Sequence, residues 1–104
     1  MLHVVATIRL QPGVRERFLE EFLAVVPEVR AEEGCLEYAA TVDLPAGLAA
    51  QPPLRDDVVV VVEKWRDLPA LQSHLQAPHM TAYRARVKDY VIAVELQVLA
   101  PVGR

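Results

Sequence analysis

The chain has 104 residues, a formal net charge of −3 and one cysteine. That length points to one domain. Its lysines and arginines are scattered without a basic run, which argues against nucleic acid or an anionic membrane as partner, and no apolar run nears the roughly 20 residues a membrane span needs. Hydrophobic residues make up 53% of the chain, so part of the apolar surface is expected to be covered by a second subunit. A lone Cys35 excludes an internal disulfide and a thiolate metal site, and it suits a reducing compartment. Met1 leads straight into "LHVVATIRL" with no charged leader or cleavage site, so a cytoplasmic location is expected.

From Leu2 to Leu10, apolar residues alternate with His3, Thr7 and Arg9, the period of a strand. Gln11-Pro12-Gly13 breaks it. Val14, Phe18, Phe22, Val25 and Val29 then fall on one helical stripe, with Pro27 inside the helix and Gly34 as its stop. Cys35 to Asp43 reads as a second strand with Leu36, Tyr38, Ala40 and Val42 on one side. Leu44 to Asp57, with three prolines and a glycine, is a long loop with neither period. Val58 to Trp65 is the third strand. A short helix starts at Arg66 or Asp67 and carries Leu68, Leu71 and Leu75. Pro78 ends it or opens another helix, with Met80, Tyr83, Val87, Tyr90 and Val91 as its stripe. Ile92 to Val102 closes the chain as a fourth strand, with Ile92, Val94, Leu96 and Val98 on one face.

The order β-α-β-β-α-α-β predicts an α+β fold, a ferredoxin-like antiparallel sheet with helices on one face. A lone sheet of this kind should show water a polar face. Val58 to Val62 is apolar on both faces, and the helices cover one. The expected cover for the other is the same sheet of a second chain, giving a homodimer in which two chains form a dimeric α+β barrel.

"RAEEGCLEY" (Arg30 to Tyr38), "VEKW" (Val62 to Trp65), "LPALQSHLQAPHM" (Leu68 to Met80) and the closing "LAPV" occur in that order. The set resembles the antibiotic biosynthesis monooxygenase family, the small dimeric α+β barrels that include quinol monooxygenases. The Leu44–Asp57 loop is longer than the family leads one to expect. The resemblance implies oxygenation of a small aromatic such as a quinol or polyphenol with no flavin, metal or other cofactor. The family also holds isomerases of small polar signals and members without known activity, so a non-catalytic binding or stress-response module is the other alternative. Its haem-degrading members carry an Asn on the first strand and a Trp and a His on the later helices. This chain places Ala6, His74 and Arg84 there, so haem degradation is not expected.

Glu63 and Trp65 are two apart on a strand and share a face. They form either a pocket wall with a flat aromatic surface or an ion pair and an interior filler. His74 borders the Leu68/Leu71/Leu75 stripe, where an imidazole can reach a cavity and move protons near neutral pH. With the family resemblance, it becomes the candidate base. Tyr38 and Tyr83 lie on core-facing rows with hydroxyls that need partners, and they are candidate substrate contacts with Trp65, Glu63 and His79. His79, beside Pro78, also reads as a helix-start or interface residue. A metal site from His74, His79 and Glu63 is not expected, because a spacing of five does not put both imidazoles on one helix face. Cys35 follows a helix C-terminus, which does nothing to activate a thiol.

Overall fold

The computed structural model describes residues 1–103. The elements run β1 (Leu2–Leu10), α1 (Arg15–Arg30), β2 (Cys35–Thr41), β3 (Val58–Trp65), α2 (Leu68–Gln76), α3 (Pro78–Val87) and β4 (Val91–Leu99). The four strands form one antiparallel sheet in the order β2-β3-β1-β4. This is the ferredoxin-like α+β arrangement. The period-2 pattern is strict where both faces matter. Val59, Val61, Glu63 and Trp65 of β3 are buried, as are Val4, Ala6, Ile8 and Leu10 of β1, while their alternates are partly open. Val5 pairs with Val62, and Thr7 with Val60, on the face away from the core.

Helix α1 lays Phe18, Phe22, Val25, Val26 and Val29 against the sheet. Pro27 is accommodated in its last turn, where Ala31 N–H still reaches the Pro27 carbonyl at 3.1 Å. Three sequence expectations change here. Leu36 is 58% exposed, because the β2–β3 register shifts between Cys35 and Glu37 and turns it outward. In α2 the buried positions are Ala70, Leu71 and His74, while Leu68 and Leu75 face outward, so His74 sits at the centre of the packed face and not at its border. Strand β4 stops at Leu99, just before Ala100-Pro101, and its row Ile92, Val94, Leu96 and Val98 is 41–56% exposed. Those residues stand beside the core row of β1, with Val94 paired to Ile8 and Leu96 to Ala6, but at the sheet edge they escape the helices.

The Leu44–Asp57 segment holds no helix or strand. Its base is clamped: Arg55 donates to both carboxylate oxygens of Asp43 at 2.8 and 2.9 Å, and Gln51 donates to the Leu44 carbonyl at 2.9 Å.

Candidate active site

Two turns place the site. Asp67 caps α2 by accepting from Ala70 N–H at 3.0 Å, and Pro69 pre-sets the first helical turn. This phase sends His74 into the interior. Gly34 ends the α1–β2 turn at φ +84°, and its carbonyl accepts from Arg66 N–H at 2.8 Å. A Cβ at Gly34 would lie 2.6 Å from Ala70 Cβ, so only glycine lets the two turns meet. That contact brings Glu32 under α2.

His74 is buried between aromatic rings, with centroids 4.6 Å from Trp65 and 5.3 Å from Tyr38. Its Nδ1 lies 3.0 Å from Oε2 of Glu32 and 3.2 Å from Oε1. His79 Nε2 meets the same Oε2 at 2.7 Å. Across the site, the Trp65 indole N–H donates to Glu63 Oε1 at 2.8 Å. Burial pushes the Glu63 carboxyl up to about 7, against the indole hydrogen bond that favours its ionised form. Burial pulls His74 below its ordinary value, opposed by Glu32. Burial raises both the Tyr38 and Tyr83 phenols, so they stay protonated donors at neutral pH.

These groups border a cavity of about 370 Å3, partly open to solvent. Its sheet side is Ala6, Ile8, Val61 and Glu63, and its helix side includes Phe22, Met80 and Tyr83. Exposed Leu75, Arg84, Lys88, Val94 and Leu96 form the rim. Among the described residues, none bonds to His74 Nε2, Glu63 Oε2 or the two tyrosine hydroxyls. No buried side-chain polar atom there is sealed off without a partner. The four residues are 2–6% exposed, and all four line the cavity. An apolar slot thus carries one imidazole, one carboxyl of near-neutral pKa and two phenols.

The model of the antibiotic biosynthesis monooxygenase family matches residues 1–86. The chain belongs to the antibiotic biosynthesis monooxygenase family. It is 42% identical over 103 residues to a protein of Escherichia coli named "Probable quinol monooxygenase YgiN", covering 97% of this chain and 98% of that one. Among solved structures, PA3566 from Pseudomonas aeruginosa superposes with a TM-score of 0.81 at 27% identity, covering 98% and 94% of the two chains. Rv0793 from Mycobacterium tuberculosis gives 0.79 at 28% identity, covering 99% and 96%.

In this family member the structure brings His74, Glu63, Tyr38 and Tyr83 together around the cavity. Trp65 and His79 stand behind its wall. Trp65 is fully buried and holds Glu63, while His79 reaches Glu32 from outside. His74 and His79 therefore converge on Glu32, and among the described residues no group of three or more His, Cys, Asp or Glu is arranged to hold a metal ion. Cys35 does not line the cavity, and burial raises its thiol. The sequence reading missed Glu32, although it lies within "EEGCLEY", because its partners are 42 and 47 residues away. It also missed Arg84 and Lys88 as rim cations, whose only local signal was helical spacing of four.

Proposed function

We propose that the cavity is the active site of a cofactor-independent monooxygenase acting on a small aromatic such as a quinol or polyphenol, in a cytoplasmic homodimer. The observation that carries this reading is an unpartnered imidazole nitrogen of His74 meeting an apolar cavity of about 370 Å3, within the size range of small-molecule sites. The relatives' names support the reaction class. His74 takes the proton of the substrate hydroxyl, and the resulting electron-rich phenolate reduces O2 directly. Carbon–oxygen bond formation gives a peroxide anion, which takes the proton back from His74 to become a hydroperoxide. Neutral His74 then takes the ring C–H proton as the O–O bond breaks and passes it to the departing hydroxide, so water and a quinone result and one oxygen atom ends in each. Tyr38 and Tyr83 donate to developing negative oxygen, and the surrounding apolar wall keeps water from quenching it.

A second reading follows from Glu63, whose carboxyl titrates at about 7 on the same cavity as His74. Two such groups can pass a proton between neighbouring carbons of a small polar signal molecule, an isomerase reaction. Oxygen uptake on a panel of quinols and phenols, with 18O2 incorporation read by mass spectrometry, tests the first reading. Solvent deuterium entering a polar carbonyl substrate without oxygen uptake would favour the second. Neither signal would leave a binding module.

A further inference from the structure

One carboxylate joins the cavity to the protein surface. Glu32 Oε2 is 3.0 Å from His74 Nδ1 and 2.7 Å from His79 Nε2. His79 Nδ1 in turn lies 3.9 Å from Glu28 Oε2. Side-chain exposure rises along this chain, from 2% at His74 through 14% at Glu32 and 20% at His79 to 62% at Glu28. An ionised carboxylate has no hydrogen to donate, so a ring nitrogen bonded to it supplies one. In His74 that nitrogen is Nδ1, and a neutral imidazole then carries its lone pair on Nε2.

We propose that Glu32 is the positioning residue for this site: it fixes His74 as the Nδ1–H tautomer with the Nε2 lone pair facing the cavity, and His79 holds Glu32 in that role. The inference rests on reading His74 as the base. Free imidazole side chains have no such bias towards Nδ1–H, and the wrong tautomer would present a donor where an acceptor is needed. When the substrate O–H bond breaks, its electron pair stays on oxygen and the proton goes to Nε2. The imidazolium is then balanced by the Glu32 charge at 3.0 Å. That proton returns from Nε2 to the peroxide oxygen, and the ring C–H proton then follows the same route to the leaving hydroxide as the O–O bond breaks, so the site needs no net proton exit. His79 adds a second hydrogen bond to Oε2 and limits rotation of the carboxylate. The groups facing His74 from the packed elements are Tyr38 on β2, Trp65 and Glu63 on β3, Glu32 in the α1–β2 turn, and His79 and Arg84 on α3. Glu32 favours the charged ring, whereas Arg84 and His79 oppose it.

The test is the 15N spectrum of His74 in the uniformly labelled protein, recorded across pH without substrate. The wild-type ring is expected as the Nδ1–H tautomer. Glu32→Ala, which leaves Nδ1 without its acceptor, should shift it towards Nε2–H, and Glu32→Gln, which keeps an acceptor but loses the charge, should lower its titration midpoint. His79→Ala removes the second hydrogen bond to Glu32 Oε2, so it should loosen the Nδ1–H preference and move the His74 spectrum in the same direction as Glu32→Ala, by less. A merely structural role for Glu32 and His79 would leave the His74 tautomer unchanged in both alanine variants. An Nε2–H tautomer in the wild type overturns the proposal, as does a Glu32→Ala spectrum unchanged from wild type. So does a His74 ring spectrum that His79→Ala leaves unchanged. Turnover is measured in parallel on the best quinol. Correct tautomers with no oxygen uptake would sink the monooxygenase reading and leave the positioning role standing.

Discussion

His74 and Glu63 border the same cavity but respond oppositely to burial, which pulls the imidazole down and pushes the carboxyl up. Their contributions separate with pH. A base at His74 predicts activity that rises with pH through a midpoint below 6.5 and is level above it, because neutral imidazole is the active form. A limb centred near 7 would instead report Glu63. His74→Asn keeps a donor for Glu32 but has no basic nitrogen, so turnover is expected to fall roughly 100- to 10,000-fold while the fold persists. Near-normal turnover would remove His74 as base. Glu63 also marks stability. Its folded pKa of about 7 lies above the ordinary 4.5, so the folded chain binds the extra proton between those values. Its favourable contribution is therefore present below about 4.5 and lost as pH rises through about 7. Glu63→Gln retains an acceptor for Trp65 and removes this loss. At pH 8 the variant should be more stable than wild type, by on the order of 1–3 kcal/mol, with the gap closing at pH 5. Paired melting curves at the two pH values check the sign.

At the scale of elements, the junction of two turns matters more than any helix face. Gly34 combines a left-handed backbone with an approach to Ala70 that admits no Cβ. Gly34→Ala should cost about 2–4 kcal/mol in denaturant unfolding, because strain and overpacking add. It should also push α2 away from Glu32, so a substitution outside the cavity is expected to lower activity. A wild-type denaturation midpoint would show that the junction adjusts freely. What the sequence revealed follows the same division. The alternation of β1 and the stripe of α1 were readable because each repeats over nine or more residues against one surface. Helix α2, at nine residues, was misphased: three leucines imitated a stripe, while Asp67 and Pro69 set the helix start that buries His74. Leu36 was misplaced by a bulge, which leaves no mark in a period-2 pattern. The cavity residues on regular elements were legible. Glu32 was not, because a turn residue has no period and its partners arrive from α2 and α3. The loop between β2 and β3 also differs from its composition: prolines and alanines suggest slack, yet Asp43 and Arg55 close its base with a bidentate pair. Trypsin should therefore cut slowly after Arg55 in the wild type and faster in Asp43→Ala. Equal rates would mean that the pair does not hold the loop.

At the scale of the molecule, two apolar surfaces stay uncovered by the chain's own helices. On the sheet face opposite the core, Val5, Val60, Val62 and Ala39 are only partly buried. At the sheet edge, the Ile92–Val98 row is 41–56% exposed on a nine-residue strand with one unpaired side. An open apolar edge of that length favours uncontrolled pairing unless something covers it. A second copy packed sheet against sheet buries the Val60–Val62 face isologously, each valine meeting the same patch on its partner. This arrangement predicts twice 11.6 kDa by light scattering at low micromolar concentration. Val62→Lys places a charge in the middle of that face while leaving the helix-side core untouched, so it should give the monomer mass with secondary structure retained by circular dichroism. Leu96→Lys, at the β4 rim, provides the contrast: it should leave the face-to-face dimer intact and perturb the cavity mouth. A monomer in the wild type would sink the two-sheet argument. A dimer that survives Val62→Lys but falls apart with Leu96→Lys would move the interface from the sheet face to the β4 edge.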